Sequence, residues 1–330
     1  MSAENADPFI RMSDLTKVYK LDAGLFAAAG RWVWALNGVS IDIRRGENYG
    51  LVGESGSGKT TLARTLVQLF PQTSGRIEYF TAGDRWEITR SDPRLLRRFR
   101  SDVKYVFQDP SSSLDPRMDV LRILTTGSRY HDRSPDSGRL VSRARELMEA
   151  VGLRAEDLGR RPSEFSGGQR QRISLARALI SSPSALICDE VVSALDVSIQ
   201  GQILNLLIDL KRKFHLTMVF IAHDLTVVSY MADRIGVLYG GSLMEEASTS
   251  ALVESPLHPY TQLLYSAIPR LGGKLPERGS TSGVPYNPTR PPSGCPFAGR
   301  CPLEQEICRT VKPELREFRP GHRVACHFVN

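Results

Sequence analysis

A glycine-rich stretch at residues 53–61 contains the residue types that hold phosphate. It reads GESGSGKTT and matches the spacing G-x-x-x-x-G-K-[ST]. Glycines allow the backbone to turn sharply near an anion, and N–H groups of the loop and of a following helix can donate to phosphate oxygens. Lys59 can reach the β- and γ-phosphates, and the Thr60 hydroxyl can ligate Mg²⁺. The predicted nucleotide-binding residues of this stretch are Gly53, Glu54, Ser55, Gly56, Ser57, Gly58, Lys59, Thr60 and Thr61.

An acidic pair, Asp189 and Glu190, follows the apolar run SALIC. A carboxylate at the end of a buried strand can hold Mg²⁺, commonly through water, and a second one can orient or deprotonate an attacking water. Taken alone, such a pair is as easily a solvated strand end. The phosphate loop upstream favours a hydrolytic role.

The stretch FSGGQRQRISLARAL predicts a second anion site at the start of a helix. Ser166, Gly167 and Gly168 stand where free backbone N–H groups and the helix dipole attract negative charge. One chain therefore has two phosphate-binding helix starts, whereas a nucleotide bound by a monomer needs only one.

Four of the five cysteines lie in the last 40 residues, at Cys295, Cys301, Cys308 and Cys326. The N-terminus has acidic residues and no apolar core, so no signal peptide is predicted, and we expect a cytosolic protein in which disulfides are rare. Zinc sites favour tighter C-x-x-C pairs, while loosely spaced thiolates suit an iron–sulfur cluster. An iron–sulfur cluster, a zinc site and a tail without metal all stay open from the residues.

The elements that must position these residues alternate along the chain. Two strands are predicted in ALNGVSIDIRRGENYGLVG, with a turn near Arg45-Gly46, and the second feeds the phosphate loop. Helical spacing follows in TTLARTLVQLF, in residues 121–158 with a polar turn at DRSPDSG, in RQRISLARALI and in IQGQILNLLIDLKRKF. Buried strands are predicted in VKYVFQDP, SALICDE and LTMVFIAHD. This alternation predicts a parallel α/β sheet, and the stretch 271–294 is predicted to be a linker.

Bulk composition is that of an ordinary globular protein. The chain has 330 residues, 41% of them hydrophobic, and a formal net charge of +7. This length suggests about two domains, and no run approaches the ~20 apolar residues of a membrane-spanning helix. The charge suits nucleotides, nucleic acid or a lipid surface without choosing among them.

Six motifs, in this order, resemble those of the ATP-binding subunits of ABC transporters. They are the phosphate loop, the glutamine-loop residue Gln108, the signature Phe165-Ser-Gly-Gly-Gln169, the acidic strand ALICDE, the D-loop Ser193-Ala-Leu-Asp196 and the switch residue His223. The resemblance implies an α/β P-loop NTPase fold, the ABC cassette, with a RecA-like core, an antiparallel β subdomain and a helical signature subdomain. We predict an ATPase domain over 1–250 and, over 251–330, a small extension with a four-cysteine metal site.

The same resemblance implies roles for individual residues. Lys59, Glu190 and His223 are the predicted catalytic residues, with Glu190 as general base and His223 at the γ-phosphate. Thr60, Gln108 and Asp189 are predicted to serve Mg²⁺. Tyr19 is predicted to stack on adenine, although aromatic residues are common in strands. Residues predicted to contact the ATP of a partner are Ser166, Gly167, Gly168 and Gln169 of the signature, with Ser193 and Asp196 in the D-loop.

Three further stretches resemble the oligopeptide/dipeptide importer branch and its F-type subunit. They are FQDPSSSLDPR, SALDVSIQGQILNLLIDLK and SPLHPYTQLLYSAIP at residues 255–269. The branch also handles nickel and some oligosaccharides. Its members can carry a 4Fe–4S cluster in this tail, so the resemblance predicts ligation by Cys295, Cys301, Cys308 and Cys326, with Zn²⁺ as the alternative. The predicted cofactors are therefore ATP, Mg²⁺ and the cluster.

The predicted partners are a second ABC ATPase subunit, two membrane permease subunits and, indirectly, an extracytoplasmic solute-binding protein. The predicted location is peripheral, at the cytoplasmic face of the cell membrane. An ABC-type ATPase acting on nucleic acid in repair or translation is the alternative, and the charge permits it. However, repair relatives insert coiled coils or zinc modules, and translation relatives carry two cassettes, so no nucleic-acid partner is expected. A metal-dependent sensor with incidental ATPase activity would predict damaged catalytic residues, and the sequence contains none.

Overall fold

The computed structural model describes residues 8–21, 31–81, 83–90, 92–131, 137–267 and 286–329. Outside these ranges lie the N-terminal residues 1–7, most of the predicted polar turn near residue 134, and residues 271–285 of the predicted linker. Predictions for those stretches stay predictions.

Strands and helices alternate through most of the described chain. The strands are β1 (Pro8–Leu21), β2 (Arg31–Arg44), β3 (Asn48–Val52), β4 (Ser74–Phe80), β5 (Arg85–Glu87), β6 (Val103–Val106), β7 (Ala185–Asp189), β8 (Thr217–Ile221), β9 (Arg234–Tyr239), β10 (Ser242–Ser248), β11 (Arg316–Arg319) and β12 (His322–Val324). The α-helices are α1 (Lys59–Leu66), α2 (Pro93–Asp102), α3 (Pro110–Ser113), α4 (Val120–His131), α5 (Ser137–Ala150), α6 (Gly167–Leu179), α7 (Val197–Phe214), α8 (Leu225–Met231), α9 (Thr249–Glu254), α10 (Pro259–Ser266) and α11 (Glu306–Thr310). Short 3₁₀ helices occur at Ile88–Arg90, Ala155–Gly159, Pro162–Glu164 and Ala298–Arg300.

The chain divides into two compact units. The first contains Arg44–Asn48 and Arg90–Ala222. Its centre is a parallel array in which β7 pairs with β6 on one side and with β8 on the other. Every residue of β7 is buried, as expected of a parallel strand covered on both faces. Helices α4, α5 and α6 pack against one another in the same unit, so the predicted parallel sheet and helical region are both found.

The second unit contains Asp7–Ile43, Tyr49–Thr89 and the residues from His223 onward. One of its sheets has the order β2-β1-β4-β5, with β4 antiparallel to both β1 and β5. This is the predicted antiparallel β subdomain. In its other sheet β3 lies parallel to β9, and β9, β10, β12 and β11 follow in antiparallel pairs.

A buried carboxylate joins the C-terminal segments to this second sheet. Glu245 of β10 is 0% exposed and accepts hydrogen bonds from the backbone N–H of Leu257 at 2.7 Å and of His258 at 2.9 Å. Its Oε1 also lies 2.7 Å from Nε2 of His322 in β12. A buried carboxylate needs such partners because its desolvation is costly. Glu245 therefore fixes both the start of α10 and the last strand.

A residue in a left-handed conformation follows two of the helices, and one of these helices ends earlier than predicted. The pattern TTLARTLVQLF predicts a helix to Phe70, but α1 ends at Leu66 and Gln68 has φ 56°. Helix α7 ends as predicted at Phe214, and His215 follows with φ 51°. A left-handed residue just past the last turn stops a helix, and Gln68 is not a residue type that announces such a stop. The domain boundary near residue 250 stays a prediction.

Candidate nucleotide-binding and hydrolysis site

Crowding around the phosphate loop explains two of its glycines. The loop joins β3 to α1 in the second unit, and Gly53 has φ 154°. A Cβ atom on Gly53 would lie 2.1 Å from the carbonyl oxygen of Leu238, and one on Gly58 would lie 2.5 Å from that of Ala35. Side chains do not fit at either position, so the loop follows a path that only glycine permits.

The amine of Lys59 lies across this loop. Lys59 is 4% exposed, and its Nζ donates to the carbonyl oxygens of Gly53 at 2.7 Å and Glu54 at 2.9 Å. Phosphate oxygens can replace these carbonyls, because charged acceptors form the stronger bonds with an ammonium group. The buried hydroxyl of Ser57 has no hydrogen-bond partner among the described residues. The loop thus offers a cation and a polar hydrogen to an anion.

The remaining loop residues line the start of α1. Ser55 and Gly56 are exposed, and Thr60 and Thr61 are partly buried in the first helical turn. The first N–H groups of any helix have no partner within that helix. This part of the chain therefore has the form expected of a phosphate-binding helix start.

The acidic pair lies in the first unit, at the carboxyl end of β7. Asp189 is 1% exposed and accepts a hydrogen bond from the hydroxyl of Tyr105 on β6. Glu190 has φ 48°, and its N–H donates to the carbonyl oxygen of Ile221 at 2.9 Å. A non-glycine residue in this conformation costs on the order of 1 kcal/mol or more and commonly occurs at functional sites.

Gln108 connects the acidic pair to the D-loop. Its Nε2 donates to Oε2 of Glu190 at 2.8 Å and lies 3.4 Å from the hydroxyl oxygen of Ser193. Ser193 donates in turn to the carbonyl oxygen of Glu190 at 2.9 Å. The structure thus brings together Gln108, Glu190 and Ser193, three residues predicted separately from the sequence.

The signature forms a capped helix start. Ser166 is the N-cap of α6: its Oγ accepts from the N–H of Gln169 at 3.3 Å, and its own N–H donates to Oε1 of Gln169 at 2.9 Å. This reciprocal pair is a capping box. A Cβ atom on Gly168 would lie 2.8 Å from Cγ2 of Ile199, while Gly167 has open space around it. Ser166 and Gln169 are exposed, so this helix start faces solvent in the described chain.

Gln200 and Tyr105, which sequence reasoning missed, support these motifs. Gln200 of α7 donates through Nε2 to the carbonyl oxygens of Val192 and Leu195, each at 3.0 Å, and so holds the D-loop backbone. Asp196 is the exposed N-cap of α7 without a side-chain capping bond. Tyr105, described above, holds Asp189. A tyrosine in a strand and a glutamine in a helix are too common to have signalled these contacts.

Tyr19 and His223 have surroundings that leave their predicted roles untested. Tyr19 of β1 has its ring 6.2 Å from that of Phe70 and 4.8 Å from Nζ of Lys17. His223 is exposed and precedes Asp224, whose carboxylate caps α8 by accepting from Thr226 at 2.8 Å. Stacking on adenine and contact with the γ-phosphate stay predictions.

The four tail cysteines lie near one another in the second unit. All are free, Cys295 and Cys308 are buried, and the N–H of Cys295 donates to the carbonyl oxygen of Cys308 at 2.7 Å. The pKa of Cys295 is raised to about 12, mainly by burial, and the neighbouring Cys308, Cys301 and Cys326 contribute to this rise. Burial also raises the pKa of Cys301.

The predicted metal at these cysteines is not supported by the geometry. No set of three or more His, Cys, Asp or Glu side chains within the described ranges is arranged to hold a metal ion. The 4Fe–4S cluster at Cys295, Cys301, Cys308 and Cys326, and zinc as its alternative, therefore stay predictions that this arrangement does not support. The fifth cysteine, Cys188, is a core residue of β7, and burial raises its pKa to about 12.

None of the helices in the described parts of the chain has both the length and the apolar character needed to cross a bilayer.

Comparison with known proteins gives two family matches. Residues 36–193 match the family described as ABC transporter, and residues 244–308 match the family described as the C-terminal region of oligopeptide/dipeptide transporters. The second range contains most of the tail cysteines.

Individual relatives cover most or all of the chain. The oligopeptide transport ATP-binding protein AppF of Bacillus subtilis is 42% identical over 333 aligned residues, covering 100% of both chains. A putative peptide import ATP-binding protein of Brucella ovis is 48% identical and covers 88% of this chain and 90% of its own. Among solved structures, the dimeric, post-hydrolysis ATP-binding cassette MJ0796 with ADP and phosphate has a TM-score of 0.62 and 28% identity, covering 73% of this chain and 98% of that one.

Proposed function

Because this chain belongs to the ATP-binding subunits of ABC transporters, in the oligopeptide/dipeptide branch, we propose that it powers the uptake of oligopeptides or dipeptides by hydrolysing ATP. The fold and the ATPase class predicted from the six motifs are confirmed. One observation carries the choice of substrate class: residues 244–308 match the C-terminal region of oligopeptide/dipeptide transporters. The relatives AppF and the Brucella ovis protein, named for oligopeptide transport and peptide import, support the same choice.

The donor atoms suit ATP and Mg²⁺. Lys59 and the loop amides would bind the β- and γ-phosphates, and Thr60, Gln108 and Asp189 would serve the metal. Mg²⁺ prefers oxygen ligands, and the amide nitrogen of Gln108 is the atom that contacts Glu190. Mg²⁺ supplies charge neutralisation at the phosphates when it is bound.

Glu190 is the proposed general base and His223 the proposed γ-phosphate contact. Gln108 holds the carboxylate of Glu190 through one oxygen, which leaves the group oriented for proton abstraction from water. We expect Glu190→Gln to retain ATP binding and to lower turnover by about 100-fold or more, as loss of a general base does. Turnover and nucleotide affinity would be measured on the purified protein, with Glu254→Gln on the exposed end of α9 as the matched control. Near-normal turnover in Glu190→Gln would refute this assignment.

Two anion-binding helix starts in one chain favour a head-to-tail pair of cassettes. In this proposal the phosphate loop of one chain and the signature Ser166–Gln169 of the other hold each ATP, with Ser193 and Asp196 nearby, and a second ATPase subunit is the partner. The dimeric structure of the MJ0796 cassette supports such pairing. Closure of the pair would move two membrane permease subunits, and the chain would sit peripherally at the cytoplasmic face of the membrane.

Co-purification decides between this function and the nucleic-acid alternative. Recovery from membranes together with permease subunits is expected, whereas recovery with ribosomes or DNA and never with membranes would overturn the importer. Uptake of labelled di- and oligopeptides by cells lacking the gene, and by the same cells after complementation, tests the substrate class. Normal peptide uptake in the deletion strain, together with loss of nickel or oligosaccharide uptake, would assign nickel or oligosaccharides as the substrates instead.

A metal at the tail is a separate proposal, supported by resemblance and by the closeness of the four cysteines. The arrangement described above is not itself a metal site, so no step of ATP hydrolysis is assigned to it. Anaerobic purification with iron, sulfide and zinc analysis tests it. Brown protein with iron and sulfide supports a 4Fe–4S cluster, zinc alone supports the alternative, and neither in stoichiometric amount overturns both.

A further inference from the structure

A salt bridge links the phosphate loop to the cysteine-containing tail. Glu54, the second residue of the loop, receives two hydrogen bonds from Arg300. Nη1 lies 2.7 Å from Oε2, and Nη2 lies 2.9 Å from Oε1. Parallel bonds of this kind between a guanidinium and a carboxylate are strong and fix the orientation of both groups.

The guanidinium of Arg300 is also held by residues other than Glu54. Its side chain is 16% exposed, and Nη1 also donates to the hydroxyl of Tyr239 at 3.2 Å. Its central carbon lies 5.6 Å from the ring centre of Tyr239 and 5.7 Å from that of Phe297. Because aromatic rings already fix the cation, little further side-chain freedom is lost when it binds the carboxylate.

The backbone of Glu54 is held by a second residue of the extension. Its N–H donates to the hydroxyl oxygen of Tyr260 at 2.8 Å. Tyr260 follows the His-Pro pair at the start of α10 and is fully buried. Its ring lies 4.6 Å from the ring of Tyr239 and 5.3 Å from that of Phe297. One aromatic cluster therefore supports both groups that contact Glu54.

Glu54 also binds Lys59 through its backbone. Its carbonyl oxygen accepts from Nζ of Lys59 at 2.9 Å. The N–H and the carboxylate of Glu54 are thus bound by the C-terminal extension, while its carbonyl orients the lysine that would meet the phosphates. A shift of Glu54 would move one of the carbonyl oxygens that bind Lys59 and would change the backbone conformation at the start of the phosphate loop.

From these contacts we propose that Arg300 and Tyr260 are positioning residues, which hold the phosphate loop in its nucleotide-binding conformation through Glu54. The C-terminal extension thereby sets part of the affinity for ATP. This inference rests on the ATP-binding role of the loop given under the proposed function. It assigns to the extension a task inside the ATPase site, besides any role of the cysteines.

Arg300→Ala in the full-length protein tests the salt bridge. Its loss removes two charge-assisted hydrogen bonds, so we expect the Kd for Mg-ATP and the KM to rise about 10-fold. We expect kcat to change less than about twofold, because Glu190 and His223 are unaltered and Lys59 keeps its hydrogen bond to the carbonyl oxygen of Gly53. Arg309→Ala is the matched control: Arg309 belongs to the same tail, pairs with Glu304 at 2.7 Å and is 71% exposed.

Further variants separate positioning from a merely structural role. Arg300→Lys keeps the charge without the two-pronged geometry and should raise Kd by an intermediate factor. Tyr260→Phe removes only the hydroxyl and should also raise Kd, whereas Tyr230→Phe, at an exposed tyrosine, should not. Adding Arg300→Ala to Glu54→Gln should raise Kd no further than Glu54→Gln alone, since Arg300 acts through that carboxylate.

The outcomes distinguish this inference from the proposed function. A wild-type protein that binds and hydrolyses ATP, with Kd unchanged in both Arg300→Ala and Arg300→Lys, would overturn the positioning role alone. A lowered melting temperature with unchanged Kd would also overturn it, because that result assigns the salt bridge to stability only. Absence of ATP binding by the wild-type protein would instead refute the function on which the inference rests.

Discussion

Acidification should destabilise the C-terminal extension through His258. This residue is 1% exposed, and its Nδ1 accepts a hydrogen bond from the N–H of Tyr260 at 3.0 Å. A protonated imidazole could not accept that bond and would place a charge in the core. Burial therefore lowers the pKa of His258 from 6.5 to about 4, although the nearby carboxylate of Glu245 opposes the shift.

The sign of the effect follows from where the proton binds. Above the unfolded pKa of 6.5 both states are neutral at His258, and its full contribution to stability is present. Below pH 6.5 the unfolded chain binds a proton at His258, whereas the folded chain does not bind it until the pH reaches its own pKa of about 4. Stability is therefore lost as pH falls. Each pH unit in that window removes about 1.4 kcal/mol. Between pH 7.5 and pH 5 the free energy of unfolding should fall by about 2 kcal/mol from this residue alone.

Thermal unfolding of two variants isolates this contribution. His258→Gln removes the titrating group, and His215→Gln, at an exposed histidine after α7, is the matched control. Between pH 7.5 and pH 5 the wild type and His215→Gln should lose roughly 4 °C more in melting temperature than His258→Gln does. The comparison uses changes between two pH values, so the cost of the substitution itself cancels.

The reasoning fails if His258→Gln loses as much stability on acidification as the wild type. That result would mean that His258 accepts a proton without penalty and that the buried hydrogen bond to its Nδ1 is dispensable.

Two other residues give sharp tests. Gly53→Ala would place a Cβ atom 2.1 Å from the carbonyl oxygen of Leu238, so we expect a lower melting temperature and at least about a 10-fold loss of ATP affinity. The control is Gly201→Ala in α7, where a Cβ atom meets nothing within 4 Å, and it should be neutral or slightly stabilising. Equal melting temperature and equal ATP affinity in the two variants would contradict this prediction. Cys188, 0% exposed and with a pKa raised to about 12, should stay unmodified by a thiol reagent at pH 8 until the protein unfolds, and peptide mass spectrometry showing early labelling would contradict its burial.

Local patterns predicted the parts of the site that lie within one element. The loop at Gly53–Thr61, the buried strand before Asp189 and the helix start at Ser166 each combine residue type with spacing, and each is found where expected. The contact of Gln108 with Glu190 joins residues from two motifs that stand 82 positions apart, and the sequence did not predict it. The family and fold implied by that resemblance are confirmed.

Contacts between distant segments could not be predicted in this way. Glu54 and Arg300 stand 246 positions apart, and nothing in the local sequence of either names the other. The tail cysteines illustrate the same limit. Their spacing shows that four thiols are close in sequence, but it does not show how they are arranged in space. Their protonation depends on burial, which raises the pKa of Cys295, and their geometry depends on how the tail folds.

The pairing of β12 with β10 also has a consequence for the fate of the molecule in the cell. A strand at the edge of a sheet presents unpaired backbone groups that recruit other chains. Here β12 covers β10, and the short strand β11, exposed along its whole length, becomes the new edge. A protein cut by proteolysis before residue 316 would bare β10 and the buried carboxylate of Glu245 together. Such a fragment would keep every ATPase motif in its sequence and yet be prone to self-association. The strands β11 and β12 therefore protect the edge of β10 from aggregation.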